Sequence, residues 1–342
     1  MDKIGIGFNA DVPVPLMIQY ATTAESLGLD SIWLHEHSFG RDAVSYLSAE
    51  AQSTKKIKLG VACLSSYTRH PIVLAMSILT LQEASQGRVT LGLGTGFPLR
   101  LDALGIKHDK PIGALRETID ICRAVWNGGN VTFDGKTFSL MNVKSIVGKP
   151  ETTIPIFIAG WKKQMLALTG AMADGYVAKG GESPQSLSRI VSGIRSSAEK
   201  HSRKMSDLEI CAYLLTFVGE NKSQAFEVAR KDPFVNYMLS VQDEYLYEET
   251  GISPELKKPI TENYFKGRLD ESSKHVTDEM LDSFTICGTI DEVGDRIEAY
   301  VKSGLTLPIL QPISMKQQDV SSVLNAASTL ISARIDRPVP PW

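Results

Sequence analysis

The chain has 342 residues, 43% of them apolar and 22% charged, with a formal net charge of −3. Such a chain can bury a large core, and the weak negative charge without a basic block excludes a nucleic-acid binder that works by bulk electrostatics. No apolar stretch approaches the ~18–20 residues that span a bilayer, and Cys63, Cys122, Cys211 and Cys287 form no CxxC pair, which speaks against structural zinc or a disulfide framework.

The opening MDKIGIGF shows no signal-peptide pattern, and a reducing cytoplasm is the expected location. A strand is predicted over 3–8 and an amphipathic helix over 15–30, ended by Gly28. Strands at 31–35, 56–64 and 88–94 alternate with helices at 43–54, 71–87 and 113–128. The helix over 71–87 has Pro71 in its first turn and Gly87 past its end. Asp134-Gly135, between two alternating runs, predicts a hairpin over 130–143. The β–α alternation then resumes: strand 154–160, helix 164–173, strand 174–180, helix 186–200, strand 208–219 and a helix from about Ser223. Residues 231–283 read as irregular and mixed. A helix over 290–304, a strand over 305–312 and a helix over 320–335 follow, and the tail DRPVPPW reads as an extended packed segment.

Eight strands separated by helices predict a parallel sheet closed into a (β/α)8 TIM barrel. It would form one domain over 1–342, with insertions at about 97–112, 130–150 and 231–285. A doubly wound open sheet with a second domain is the alternative. In such barrels the active site lies at the C-terminal strand ends, which directs attention to 9–11, 35–37, 64–70, 95–97, 160–162, 179–181 and Gln311.

At the second strand end stand His35, Glu36 and His37. Two histidines two apart on a strand point the same way, which suits half a metal site, one catalytic histidine, or a polar strand end. A metal would need further ligands from later strand ends. His70, His108, His201 and His275 follow none of those strands, so no metal is expected. In LGLGTGFP the glycine spacing misses the dinucleotide fingerprint, and the next helix is predicted only from about Gly113. Glycines beside Gly94 and Thr95 would let a flat ring approach the backbone. In IAGWKKQM a helix beginning near Lys162 offers amides to a phosphate, and Lys162 and Lys163 add charge there. Lys179 and Gly180, one strand later, point to the same anion site. Arg69 reads as a structural ion-pair partner, and no Ser-His-Asp order or nucleophile elbow appears.

The runs YTRHP to LGLGTG (67–96), IPIFIAGWKKQMLALTGAMADGYV (154–177) and CGTIDEVGDRIEAYVKSGL (287–305) resemble the luciferase-like monooxygenase superfamily along nearly the whole chain. The resemblance implies a (β/α)8 barrel that binds FMN or the deazaflavin coenzyme F420. WLHEHSFGRDAVSYLS, GTGFPLRLDALGI and FDGKTFSL are most similar to the archaeal methylenetetrahydromethanopterin reductases, which use coenzyme F420. That likeness implies that His37, with Glu36 where an aspartate is usual, is the cofactor-side histidine, and that His35 is spare. It implies a cis Ala62–Cys63 bond against the middle ring of the deazaflavin, in a 60–66 bulge that includes Ser65. It places the phosphate-tail contacts on Ala159, Gly160, Trp161, Lys162, Gln164 and Met165. The chain departs from the pattern at Gly7, where the reductases carry a glutamate, and at Phe97, where F420-dependent sugar-phosphate dehydrogenases carry an acid. Trp161-Lys162 also stands where Gly-Gly is common.

The expected function is F420-dependent hydride transfer between the deazaflavin C5 and an organic substrate, such as a methylenetetrahydromethanopterin-like pterin, with His37 and Glu36 catalytic and 231–285 covering the substrate. An FMN-dependent monooxygenase and a non-catalytic cofactor-binding protein are the alternatives. The expected partners are a small-molecule substrate and further copies of the chain, as a homodimer or higher homo-oligomer, with no nucleic acid and no membrane.

Overall fold

The computed structural model describes residues 3–335. In chain order its elements are β1 (Gly5–Phe8), α1 (Val14–Ser26), β2 (Ser31–Leu34), α2 (Ala43–Ser53), β3 (Lys58–Ser65), α3 (Pro71–Ala84), β4 (Val89–Gly94), α4 (Pro98–Ala103) and α5 (Pro111–Asn127). The hairpin β5 (Asn130–Asp134) and β6 (Ser139–Lys144) precedes β7 (Ile156–Ala159), α6 (Lys163–Met172), β8 (Gly175–Ala178), α7 (Pro184–Lys200) and β9 (Glu209–Val218). Then come α8 (Lys222–Lys231), α9 (Pro233–Val241), α10 (Glu244–Glu249), α11 (Lys257–Phe265), α12 (Leu269–Ser273) and α13 (Asp278–Phe284). The described chain closes with β10 (Ile286–Gly288), α14 (Ile290–Lys302), β11 (Leu307–Pro312) and α15 (Gln317–Ile335).

Eight parallel strands form a closed ring in the order β1-β2-β3-β4-β7-β8-β9-β11, and β11 pairs back to β1. The protein is a (β/α)8 TIM barrel. β1, β2 and β4 are buried along their whole length, as strands covered on both faces must be. Large rings fill the barrel, and glycines opposite them leave the room. Trp33 and Phe157 meet inside at 5.9 Å between centroids, and a Cβ on Gly60 would run into the Trp33 ring. Among the described residues no helix is long and apolar enough to cross a membrane.

The structure corrects three expectations. The segment 231–283, read as irregular, is helical: α9 to α13 pack around a separate apolar cluster that includes Leu239, Tyr247, Ile260, Leu281 and Phe284. These helices are short, between 5 and 9 residues, so none shows a sustained 3.6-residue period on which a sequence reading could rest. Residues 97–112, read as loop until about Gly113, hold α4, which Pro98 starts. The strand β10, unforeseen, pairs with the far end of β9 through Ile286, Cys287 and Gly288. The expected extended tail, DRPVPPW, lies outside the described residues.

Candidate active site

The mouth of the barrel is built from the residues that follow each strand. His35, the first after β2, donates its backbone N–H to the Phe8 carbonyl at 3.0 Å. Its ring lies on Tyr213 with centroids 3.9 Å apart. His35 Nε2 is 3.4 Å from Gln311 Oε1, and Gln311 Nε2 donates to Asn9 Oδ1 at 3.2 Å. Burial pulls the His35 pKa down to about 4, so its imidazole is neutral near pH 7. The histidine that the resemblance left spare is therefore the inner one, wired across the ends of β1, β2 and β11.

Tyr213 also explains Gly7. A Cβ on Gly7 would lie 2.5 Å from Tyr213 Cε1 and 2.9 Å from Ile309 Cγ2. The tyrosine ring fills the space a longer side chain on β1 would need. The Tyr213 hydroxyl is buried without a hydrogen-bond partner, and burial pushes its pKa well above the ordinary range. A buried hydroxyl left unpaired costs free energy, so this group is free to meet a ligand atom.

At the end of β3 the Ala62–Cys63 peptide bond is cis, as the resemblance implied, and pairing with β4 shifts register between Val61 and Leu64. Burial pushes the Cys63 thiol up to about 11, which keeps it protonated and unreactive. A Cβ on Gly94 would lie 2.6 Å from Cys63 Sγ. Gly96, at φ +80°, packs so closely that a Cβ would lie 2.6 Å from Ser65 Oγ. Ser65 Oγ accepts the Tyr67 N–H at 3.2 Å, and Ser66 Oγ is buried and unpartnered. The bulge and the glycines beside Thr95 thus share one side-chain-poor floor.

Glu36 and His37 diverge. Glu36 Oε1 accepts from Arg69 Nη1 at 2.5 Å, and Oε2 accepts the Ala43 N–H at 3.3 Å. Arg69 also pairs with Asp42, whose Oδ1 accepts the Ser45 N–H at 2.8 Å and caps α2. Arg69 is thus an ion-pair partner, and Glu36 is held against the start of α2. His37 is exposed on the rim. Its Nδ1 accepts the Phe39 N–H at 3.2 Å, which leaves the ring proton of the neutral form on Nε2. Partial desolvation and the charge of Arg100 lower its pKa, against Asp11 and Glu36.

The turns after β7 and β8 meet as expected, with one difference. Gly160 has φ +140°, and a Cβ there would lie 2.9 Å from Met165 Cε. Lys162 is the N-cap of α6, and no side chain caps the helix. Gln164 lies exposed in the first turn, while Met165 is buried beneath it. Lys179 Nζ lies 4.1 Å from the centre of the Trp161 ring and 3.5 Å from Asp243 Oδ2. Its charge is therefore already shared, and Trp161 joins the two turns; Gly180 follows it against Leu215. Among the described residues no three His, Cys, Asp or Glu side chains gather as metal ligands.

Sequence reasoning missed Tyr213, Arg100 and Asp232. Tyr213 sits in the unbroken apolar run of β9, where nothing marks the inward face. Arg100 lies in a stretch read as loop. Asp232 caps α9 by accepting the Phe234 and Val235 N–H groups at 2.8 and 3.0 Å. Burial raises it to about 6, with the charge of Asp11 adding. Its signal was legible: an Asp before Pro233 is a helix-start pattern.

Residues 8–307 match the family model described as luciferase-like monooxygenase. The chain is 31% identical to a 5,10-methylenetetrahydromethanopterin reductase of Methanolobus tindarius, over 88% of this chain and 91% of that protein. It is 30% identical to the enzyme of the same name from Archaeoglobus fulgidus, over 89% and 91%. The solved structure of a coenzyme F420 dependent tetrahydromethanopterin reductase from Methanopyrus kandleri superposes with a TM-score of 0.90 at 23% identity, covering 97% of this chain and 99% of that one.

Proposed function

Because this chain belongs to the luciferase-like monooxygenase family, we propose that it is an oxidoreductase that holds a deazaflavin of the F420 type at the barrel mouth and acts on a small organic substrate. The observation that carries this reading is the likeness to methylenetetrahydromethanopterin reductases across about nine-tenths of both chains. It supports a pterin of that kind as the first substrate to try. The site fits such a cofactor. Gly94 lets the Cys63 side chain pack onto its backbone, since a Cβ there would lie 2.6 Å from Cys63 Sγ, and so leaves a flat floor with Thr95 and the Ala62–Cys63 bulge on which a ring would lie. The Tyr213 and Ser66 hydroxyls are buried without partners beside that floor.

When bound, the deazaflavin supplies the carbon that takes or gives a hydride. The protein's part is positioning and proton handling. Ala62, Cys63 and Ser65 would back the ring. The uncapped start of α6, with Ala159, Gly160, Trp161, Lys162, Gln164 and Met165, would hold the phosphate tail, with Lys179 and Gly180 beside it. His37, neutral near pH 7, would act as a base at the rim, taking one proton on Nδ1 in place of the Phe39 N–H contact. Glu36 works through position, since its oxygens are held by Arg69 and the α2 amide. The α9–α13 segment would screen the substrate from water.

The test is affinity for the two candidate cofactors. The purified protein is titrated with coenzyme F420 and separately with FMN, following fluorescence, and Lys162→Ala is titrated at low and high salt. Tight F420 binding, weak FMN binding and a salt-sensitive loss in the variant support the assignment. Preference for FMN, or binding of neither, overturns it.

A further inference from the structure

The turn after β4 lacks the acid that F420-dependent sugar-phosphate dehydrogenases carry there. Phe97 stands in that place, and three residues on α4 bears Arg100, half-buried. Its guanidinium lies 5.6 Å from the centre of the Phe97 ring. Contact with a ring face holds the guanidinium in place without neutralising it. Among the described residues the Arg100 guanidinium makes no ion pair and no hydrogen bond; only its backbone is paired, with Phe97 and Leu104. Two other half-buried arginines are paired: Arg69 with two carboxylates, Arg88 with the carbonyls of Ala51, Thr54, Ile57 and Ser85. The charge of Arg100 is felt by His35 and His37 after β2 and by Cys63 on β3. α4 follows the C-terminal end of β4, which places Arg100 at the mouth of the barrel. Leu99, next to it in the chain, is 71% exposed.

We propose that Arg100 is the anchor for an oxyanion on the substrate, a carboxylate or a phosphate ester, so that this barrel acts on an organic anion. The planar fork of a guanidinium matches two oxygens of either group. A half-desolvated cation without a partner is a group whose pairing remains to be completed by a ligand. This inference rests on the oxidoreductase reading only for the word substrate; the anion site itself is tested without turnover.

The experiment uses the full chain and two probes, benzoate for the carboxylate and inorganic phosphate for the phosphate ester. Affinity is measured by calorimetry, and the pKa of His37 is followed by NMR of its ring protons. In the wild type, a probe that binds raises the His37 pKa, because it cancels the nearby positive charge. Arg100→Gln should bind that probe about 10- to 100-fold more weakly, start from a higher His37 pKa, and show no response to the probe. Arg100→Lys should recover part of the affinity. A response to benzoate alone assigns a carboxylate, and to phosphate alone a phosphate ester. If neither probe moves the wild-type His37, or both move Arg100→Gln equally, the proposal falls. A parallel F420 titration separates the two readings. Unchanged F420 affinity in Arg100→Gln supports a substrate anchor, whereas a loss there means that the arginine serves the cofactor and overturns it. Failure of the wild type to bind F420 overturns the oxidoreductase reading and leaves the anion measurements standing.

Discussion

His35 and His37 are two residues apart and look alike in sequence, yet one is wedged against Tyr213 and Gln311 and the other sits on the rim. Their substitutions should separate stability from activity. His37→Ala should leave unfolding free energy within about 0.5 kcal/mol and lower turnover by roughly 10²–10⁴, the usual contribution of a positioned acid or base. His35→Ala should cost about 1–3 kcal/mol, because it strands the Gln311 side chain and uncovers a buried ring. Urea unfolding and F420-linked turnover check both, and equal stability losses would defeat the distinction. Strand alternation predicted that the two histidines point the same way, but β2 ends at Leu34, one residue before His35, and the alternation does not extend to them. It could not show that Tyr213, 178 positions after His35 in the chain, takes the space over Gly7, because that exclusion is a contact between β1 and β9.

Helix α2 shows what an element's sequence conceals. Its start was legible, and Asp42 caps it. Its core face holds Glu50, fully buried, with neither carboxylate oxygen hydrogen-bonded. Desolvation raises its pKa well above the ordinary carboxylate value, so it folds protonated. A carboxyl whose folded pKa is raised contributes stability below its unfolded pKa of about 4.3 and loses it as pH rises through the folded value. Glu50→Gln removes that loss. The variant's advantage over the wild type should therefore grow from pH 5 to pH 7 by up to about 1.4 kcal/mol per pH unit, one proton's worth. Unfolding curves at the two pH values measure it, and a constant difference would show that Glu50 ionises in the fold. The α9–α13 segment is the converse case. Its caps, such as Asp232 and Thr277, were written in the sequence, but helices this short gain their stability from packing.

At the scale of the molecule, the described residues form three apolar clusters; one, with Trp33, Phe157 and Tyr213, fills the barrel, and the other two divide the rest. The larger lies between the barrel strands and their outer helices, and the smaller joins α9–α13 to the ends of β9 and β11 through Leu215, Phe217 and Ile313. Phe284, 1% exposed, meets Tyr247 edge-on at 5.1 Å in the smaller cluster. Phe284→Ala should cost about 3–5 kcal/mol there. Because the clusters are separate, amide exchange should quicken across α9–α13 while β1–β4 keep their protection. Equal acceleration in both would mean that the molecule unfolds as one unit.

The sequence by itself determined the closed parallel barrel, its strand order along the chain and the turns that line its mouth. Those follow from local periodicity, from Pro and Gly at helix ends, and from the geometric need of repeated β–α units for a parallel sheet. Only the tertiary structure decided which side chains meet inside. It set Tyr213 over Gly7, Trp161 over Lys179, Arg69 against Glu36, and Arg100 without a partner at the rim. Each depends on residues far apart in the chain whose approach is set by the packing of the whole barrel, and no local pattern encodes it.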